Sequence, residues 1–192
     1  MKIIFATGNK NKLKEIRAAI PPGSELLGLK DVGIFEELPE DHETLEENAL
    51  QKAQYVYEKS GLTCFADDTG LEIDALNGAP GVYSARYAGE EKRAAANMAK
   101  VLDELADEDD RSARFRTVIA LVGPKGENTF EGIVNGRILR EKKGAEGFGY
   151  DPIFQPEGEE RSFAEMGLVE KNTMSHRARA FKKLLEYLSS EL

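Results

Sequence analysis

The sequence predicts an α/β protein on a mixed sheet, and three observations carry that prediction. Apolar runs of strand length, Lys2 to Ala6 and Leu62 to Ala66, alternate with stretches at helical spacing such as Leu13, Ile16 and Ile20. Two more runs, 115–122 and 128–134, flank Gly123-Pro124-Lys125-Gly126 and read as an antiparallel hairpin. Strands and helices mix in both halves of the chain rather than segregating.

Taken in order, Lys2 to Ala6 is a buried strand and Thr7-Gly8-Asn9 a turn. The first helix follows and ends at Pro21-Pro22-Gly23. A second strand is expected from Glu25 to Leu29, then an acidic loop from Asp31 to Glu43. Thr44-Leu45-Glu46-Glu47 reads as a capping box opening a helix whose inner face is Leu45, Ala49, Ala53, Val56 and Tyr57, and Gly61 stops it. A strand ending at Asp67 continues through Leu71, Ile73 and Leu76 to a turn at Asn77-Gly78. Residues 79–87 show no period, a helix is expected over 90–105, and Asp107 to Asp110 is a solvated acidic run. A glycine-rich stretch ends at Gly147-Phe148-Gly149-Tyr150-Asp151-Pro152. Ser175 caps a last helix with a buried stripe of Phe181, Leu184, Leu185 and Leu188. With no internal repeat and no low-complexity linker, residues 1–192 read as a single domain, of one body or two tightly joined lobes.

Composition narrows the function. The 192 residues are 41% hydrophobic and carry a formal net charge of -9, with a pI near 4.9. So acidic a chain is a poor general binder of nucleic acid or anionic membrane, and a small polyanion would need locally gathered lysines and arginines. The single cysteine, Cys64, reads as a small buried hydrophobe in a reducing compartment. No stretch is apolar enough to span a membrane, and the start of the chain is too short for a signal peptide, so a soluble cytoplasmic protein is expected.

The focus of the chain is Ala66-Asp67-Asp68-Thr69-Gly70-Leu71. Adjacent side chains of a strand point to opposite faces, so both carboxylates reach one site only if the chain breaks there, and Gly70 would let it turn. Taken alone the stretch also fits a solvated turn. Thr7-Gly8-Asn9-Lys10-Asn11-Lys12 joins a strand to a helix N-terminus, where free N–H groups and the helix dipole favour an anion, and Lys12 lies within reach of a phosphate. Glu40, Glu43, Asp67 and Asp68 supply hard oxygen ligands that suit Mg²⁺ with waters and substrate phosphates, and no Cys/His cluster offers a zinc site. By spacing alone Glu40 is a solvated charge, and His176 and Arg177 form an exposed first turn. Phe148-Gly149-Tyr150-Asp151 is either a turn with core aromatics or a stacking surface for a flat base.

Five segments together resemble one family: Thr-Gly-Asn-x-x-Lys at 7–12, Ala-Asp-Asp-Thr-Gly-Leu at 66–71, Pro-Gly-Val-Tyr-Ser-Ala-Arg at 80–86, Gly-Phe-Gly-Tyr-Asp-Pro at 147–152 and Glu-Lys-Asn-x-x-Ser-His-Arg at 170–177. In this order they are similar to the inosine/xanthosine triphosphate pyrophosphatases. The resemblance implies an elongated two-lobed α/β fold on a long twisted mixed sheet, with the active site in the cleft between lobes. It implies a homodimer that hydrolyses ITP, dITP and XTP to monophosphate and pyrophosphate with Mg²⁺, cleaning the nucleotide pool. Carried over by position, Thr7, Gly8, Asn9, Lys10, Asn11, Lys12 and Lys52 hold phosphates, and Glu40 and Asp68 bind the metal. Asp68 also accepts the proton of the attacking water. Thr69 contacts substrate, and Phe148, Gly149, Tyr150, Asp151, Lys171, His176 and Arg177 surround the nucleoside. Two rivals are a nucleotide-binding regulator without catalysis and the septum-inhibitor-like pyrophosphatases. Retention of both aspartates and Glu40 disfavours the first, and the Ser-His-Arg and Phe-Gly-Tyr-Asp segments disfavour the second.

Overall fold

The computed structural model describes residues 2–190. Its sheet has the strand order β2-β1-β3-β5-β6-β7, with β4 pairing on β3. The strands are β1 (Lys2–Phe5), β2 (Glu25–Leu27), β3 (Cys64–Ile73), β4 (Pro80–Gly81), β5 (Ser112–Gly123), β6 (Gly126–Ile138) and β7 (Phe154–Pro156). β1 runs parallel to β2 and β3, while β4 on β3 and β7 on β6 are antiparallel, so the mixed α/β expectation holds. The helices are α1 (Lys10–Ala19), α2 (Leu45–Ser60), α3 (Ala94–Glu104), α4 (Leu168–Met174) and α5 (His176–Ser190). Among the described residues two compact units emerge, one from 2–68, 117–132 and 177–190, the other from 69–116 and 133–176.

The first unit is built on the pleat of β1 and β3. Phe5 and Phe65 are register partners, and their rings stack at 4.6 Å. On that face they join Ile3, Ile16, Ile119, Leu121, Phe181 and Leu184, so α1 and α5 cover it. Register partners Ile4 and Cys64 point the other way, where the Cys64 thiol donates to the Ala53 carbonyl of α2 at 3.1 Å. Burial pushes the Cys64 thiol up to about 12, as its reading as an inert small hydrophobe requires. α1 stops at Ile20 before the prolines, and α2 ends on Gly61 in the left-handed region at φ 67°.

The second unit packs Leu71 and Ile73 of β3 against Met98 and Val101 of α3 and against Phe115, Val134, Phe154 and Phe163. Phe115, Phe154 and Phe163 form an aromatic cluster, with centroids of the first two 4.5 Å apart. Asp107 to Asp110 is exposed, as expected.

Three expectations are corrected. β3 does not break at Gly70 but runs unbroken from Cys64 to Ile73. Asp67 and Asp68 are 1% and 9% exposed, so the solvated-turn reading fails as well. His176 and Arg177 are 3% and 2% exposed, not an open first turn, because His176 stacks on Phe115 and Arg177 pairs with Asp67 and Glu15.

Gly70 is required by close approach rather than by a turn, since a Cβ there would lie 2.7 Å from the Gly81 carbonyl oxygen of β4. Gly70→Ala should therefore push β4 off β3 and cost about 2 kcal/mol, or a melting point lower by about 4–8 °C in thermal denaturation. An unchanged melting point would mean that the β3–β4 pairing yields without cost.

Candidate active site

Alternation along β3 sets which way the two aspartates face. Phe65 faces α1 and α5, so Asp67, two residues on, faces them too, while Asp68 turns with Cys64 and Ala66 toward α2. Asp67 accepts from Lys12 Nζ of α1 at 3.0 Å through Oδ1, and from Arg177 Nε of α5 at 2.9 Å through Oδ2. Arg177 Nη1 also donates to Glu15 of α1. On the other side Lys52 Nζ of α2 donates to Glu40 Oε1 at 2.5 Å, to the Asp67 carbonyl at 2.8 Å and to Asp68 Oδ1 at 3.3 Å. Seven charged residues of the first unit thus meet around the middle of β3.

Charge neutralisation explains how so many ions stay buried. Burial opposes ionisation of Asp67, but Lys12 and Arg177 outweigh it and hold its carboxyl well below the usual carboxylate range. At Asp68 burial wins, with Glu40 and Asp67 adding to it against Lys52 and Lys12, so its carboxyl is pushed up. Burial drives the Lys12 ammonium down despite Asp67, helped by Lys52 and Arg177. Burial acts on Lys52 in the same sense, but Asp68, Glu40 and Asp67 overcome it and raise that ammonium. Adjacent aspartates therefore differ: one is locked as an anion, the other sits where it takes a proton more readily.

The turn at 7–12 differs from the expectation of free N–H groups. Asn9 caps α1, its Oδ1 accepting from the N–H groups of Asn11 and Lys12 at 2.9 and 3.2 Å, and Thr7 Oγ1 accepts from Asn9 N at 3.1 Å. These donors are spent on the turn itself. Gly8, Asn9, Lys10 and Asn11 are exposed, and a Cβ at Gly8 would meet nothing, so packing does not demand glycine there.

In the second unit Asp151 Oδ2 accepts from Lys171 Nζ at 2.6 Å and from the Phe148 backbone N–H at 2.9 Å. The Lys171 ammonium stands 4.9 Å from the centroid of Phe148 and 5.5 Å from that of Phe163. A Cβ at Gly147, where φ is +73°, would fall 2.1 Å from Asp151 Oδ2, so glycine is needed for the loop to close over the carboxylate. Tyr150 is buried and donates to the Ser84 carbonyl at 2.6 Å, and Gly149 has φ +62°. His176 stacks on Phe115 at 4.6 Å in the aromatic cluster. Thr69 is half-buried in β3, and Glu43 is exposed.

The structure thus brings Lys12, Glu40, Lys52, Asp67, Asp68 and Arg177 together in the first unit, and Phe148, Asp151 and Lys171 in the second. Sequence reasoning missed Glu15, although a glutamate beside Leu13 and Ile16 on the inner stripe of α1 is the signal of a buried charge. It also took both Asp67 and Glu43 as potential ligands, whereas both Asp67 oxygens are engaged by cations.

Donor chemistry fits Mg²⁺ at Glu40 and Asp68. Two hard carboxylates already gather around one positive charge, the Lys52 ammonium, and Mg²⁺ takes few protein ligands when phosphates and waters complete its shell. Among the described residues no three His, Cys, Asp or Glu side chains come together as metal ligands. Among them, too, no helix is long and apolar enough to cross a membrane.

Comparison with known proteins gives the family. The sequence pattern of the Ham1 family matches residues 3–187. The dITP/XTP pyrophosphatase of Christiangramia forsetii is 56% identical over 98% of this chain and 100% of its own length. That of Porphyromonas gingivalis is 52% identical over 97% of each chain. Among solved structures, the Ham1 protein of Staphylococcus aureus is 37% identical and superimposes with a TM-score of 0.90 over 100% of both chains. The Ham1 protein of Coxiella burnetii gives 38% and 0.89 over 99% of both. From its own motifs, its strand order and these matches along its length, the chain belongs to the Ham1 family.

Proposed function

We propose that this protein hydrolyses the non-standard purine nucleoside triphosphates dITP, ITP and XTP to the monophosphate and pyrophosphate. The observation that carries the reading is the cluster in the middle of β3, where Asp68 and Glu40 flank a cation while Lys12 and Arg177 are held by Asp67. The names of the relatives supply the substrate class, since proteins 56% and 52% identical are dITP/XTP pyrophosphatases.

Hydrolysis needs a water aimed at the α-phosphorus, a group to take its proton and positive charge to receive the leaving pyrophosphate. Asp68 accepts the proton, from its place beside the Lys52 ammonium on the α2 side of β3. Lys12 and Lys52, with Lys10 and the exposed backbone at Gly8, bind the phosphates. Glu40 and Asp68 would hold Mg²⁺, which would supply charge neutralisation to a bound polyphosphate. For the base, Lys171 offers only donors, which suit the 6-oxo acceptor of hypoxanthine and xanthine and leave the 6-amino group of adenine unmatched. Phe148 stacks, Asp151 orients Lys171, and His176 supports the aromatic packing. In the cell the reading places the enzyme in the cytoplasm as a homodimer that removes deaminated purines from the nucleotide pool.

Asp68→Asn should lower kcat for pyrophosphate release by about 10²–10⁴-fold while the melting point stays near that of the parent. Asp67→Asn should instead lower stability by about 3–5 kcal/mol, because Lys12 and Arg177 would face a neutral amide. Equal effects of the two substitutions on turnover and on melting would contradict the division of labour along β3. At the base end, Gly147→Ala should raise KM for ITP at least as much as it changes kcat, since the added methyl collides with the carboxylate that holds Lys171. Unaltered ITP kinetics in that variant would remove the Asp151–Lys171 pair from base recognition.

A further inference from the structure

One stripe of α2 holds the loop that precedes it, in reverse order. Asn48, Gln51, Lys52, Tyr55 and Lys59 follow one another at intervals of three, one, three and four residues and lie along that stripe. Asn48 Oδ1 accepts from the His42 N–H at 2.9 Å, and its Nδ2 donates to the His42 carbonyl at 3.0 Å. Gln51 Oε1 accepts from the Asp41 N–H at 3.0 Å, and its Nε2 donates to Asp41 Oδ2 at 2.7 Å. Lys52 Nζ donates to Glu40 Oε1 at 2.5 Å. Tyr55 OH donates to Glu36 Oε1 at 2.8 Å, and Lys59 donates to the same oxygen. Glu40 therefore lies between positions that α2 pins on both sides.

Asn48 is the most informative member. It is 2% exposed in the interior of a helix, where an amide is costly to bury unless it is paired. It spends its oxygen and its nitrogen on the backbone of His42, an exposed loop residue. Leucine has nearly the same shape and would fill the helix position without that cost, so the amide serves the loop. Lys52 does not do the same work. Its ammonium rides on a flexible four-carbon stem, and an ion pair to the Glu40 carboxylate leaves the backbone beneath it free to shift. The paired bonds at Asp41 and His42 fix that backbone directly after Glu40.

We propose that Asn48 is a positioning residue for the divalent metal: with Gln51 it fixes the stretch of backbone that presents the Glu40 carboxylate. This rests on the pyrophosphatase reading, in which Glu40 and Asp68 would hold Mg²⁺. Loss of the Asn48 amide then weakens polyphosphate binding where the metal takes part in it and leaves metal-free binding by the lysines alone.

The test is calorimetric binding of inorganic tripolyphosphate to Asn48→Leu, with Mg²⁺ and with EDTA, beside a Mg²⁺ titration of pyrophosphate release from ITP. With Mg²⁺ the variant should bind tripolyphosphate on the order of 10-fold more weakly, and its half-saturating Mg²⁺ concentration should rise by a similar factor. In EDTA its tripolyphosphate affinity should stay within about 2-fold of the parent, since the lysines are untouched. In a Glu40→Gln background the same substitution should cost less than about 3-fold, because the carboxylate it positions is gone. Circular dichroism and melting check folding. If Asn48→Leu does not fold, Gln51→Met takes its place with the same direction of change expected. Equal weakening with Mg²⁺ and with EDTA would make the amide a general brace and overturn the proposal, as would an unchanged Mg²⁺ dependence or additive losses with Glu40→Gln. A parent protein that releases no pyrophosphate from ITP with Mg²⁺ would instead bring down the pyrophosphatase reading, and this proposal with it.

Discussion

The structure of the first unit depends on one geometrical constraint: consecutive side chains of an unbroken strand go to opposite faces. Because β3 keeps its pleat from Cys64 to Ile73, Asp67 and Asp68 are neighbours in sequence and occupy different environments. Asp67 lies between two cations from α1 and α5, and Asp68 lies toward α2 beside one. Had the chain turned at Gly70 and brought both to one site, two buried anions would have opposed each other's ionisation. The pleat gives each carboxylate its own cations, so Asp67 stays an anion while burial, Glu40 and Asp67 push Asp68 up.

Burying ions is costly, and each charge here is compensated by a partner from another element. α1 brings Lys12 and Glu15, α2 brings Lys52, α5 brings Arg177, and the loop before α2 brings Glu40. The ion pairs therefore also fix which helix covers which face of the sheet. An acidic protein of net charge -9 needs such local gathering of cations to receive a polyphosphate. In the second unit the same logic recurs on a smaller scale, where Asp151 satisfies Lys171 and the Phe148 backbone together.

Much of the fold was legible because it follows from local rules. The helix stops at Ile20 and Gly61, the hairpin across Pro124 and Lys125, and the apolar stripe of α5 come from periodicity and turn chemistry. The chemistry-bearing segments were legible as motifs, but their burial was not. Arg177 read as exposed because a helix start next to Ser175 is ordinarily solvated, and only the positions of Asp67 and Glu15 in space explain its burial. Gly70 read as a turn because its neighbour Gly81 lies eleven residues on, across a strand pair that propensity does not reveal. Asn9 was taken as part of an open anion site, yet it spends its oxygen capping α1. Lys52 sits on the inner stripe of α2 between Asn48 and Val56, and a lysine there is a sequence signal for a buried carboxylate partner.

The central claim is that the carboxylates and lysines gathered at β3 hydrolyse non-standard purine triphosphates with a divalent metal. Pyrophosphate release from ITP, XTP, dITP, ATP and GTP, each with Mg²⁺ and with EDTA, tests it most directly. The account predicts strong release from ITP, XTP and dITP with Mg²⁺, little from ATP and GTP, and none with EDTA. Release from no nucleotide, or equal release from all five, would contradict it.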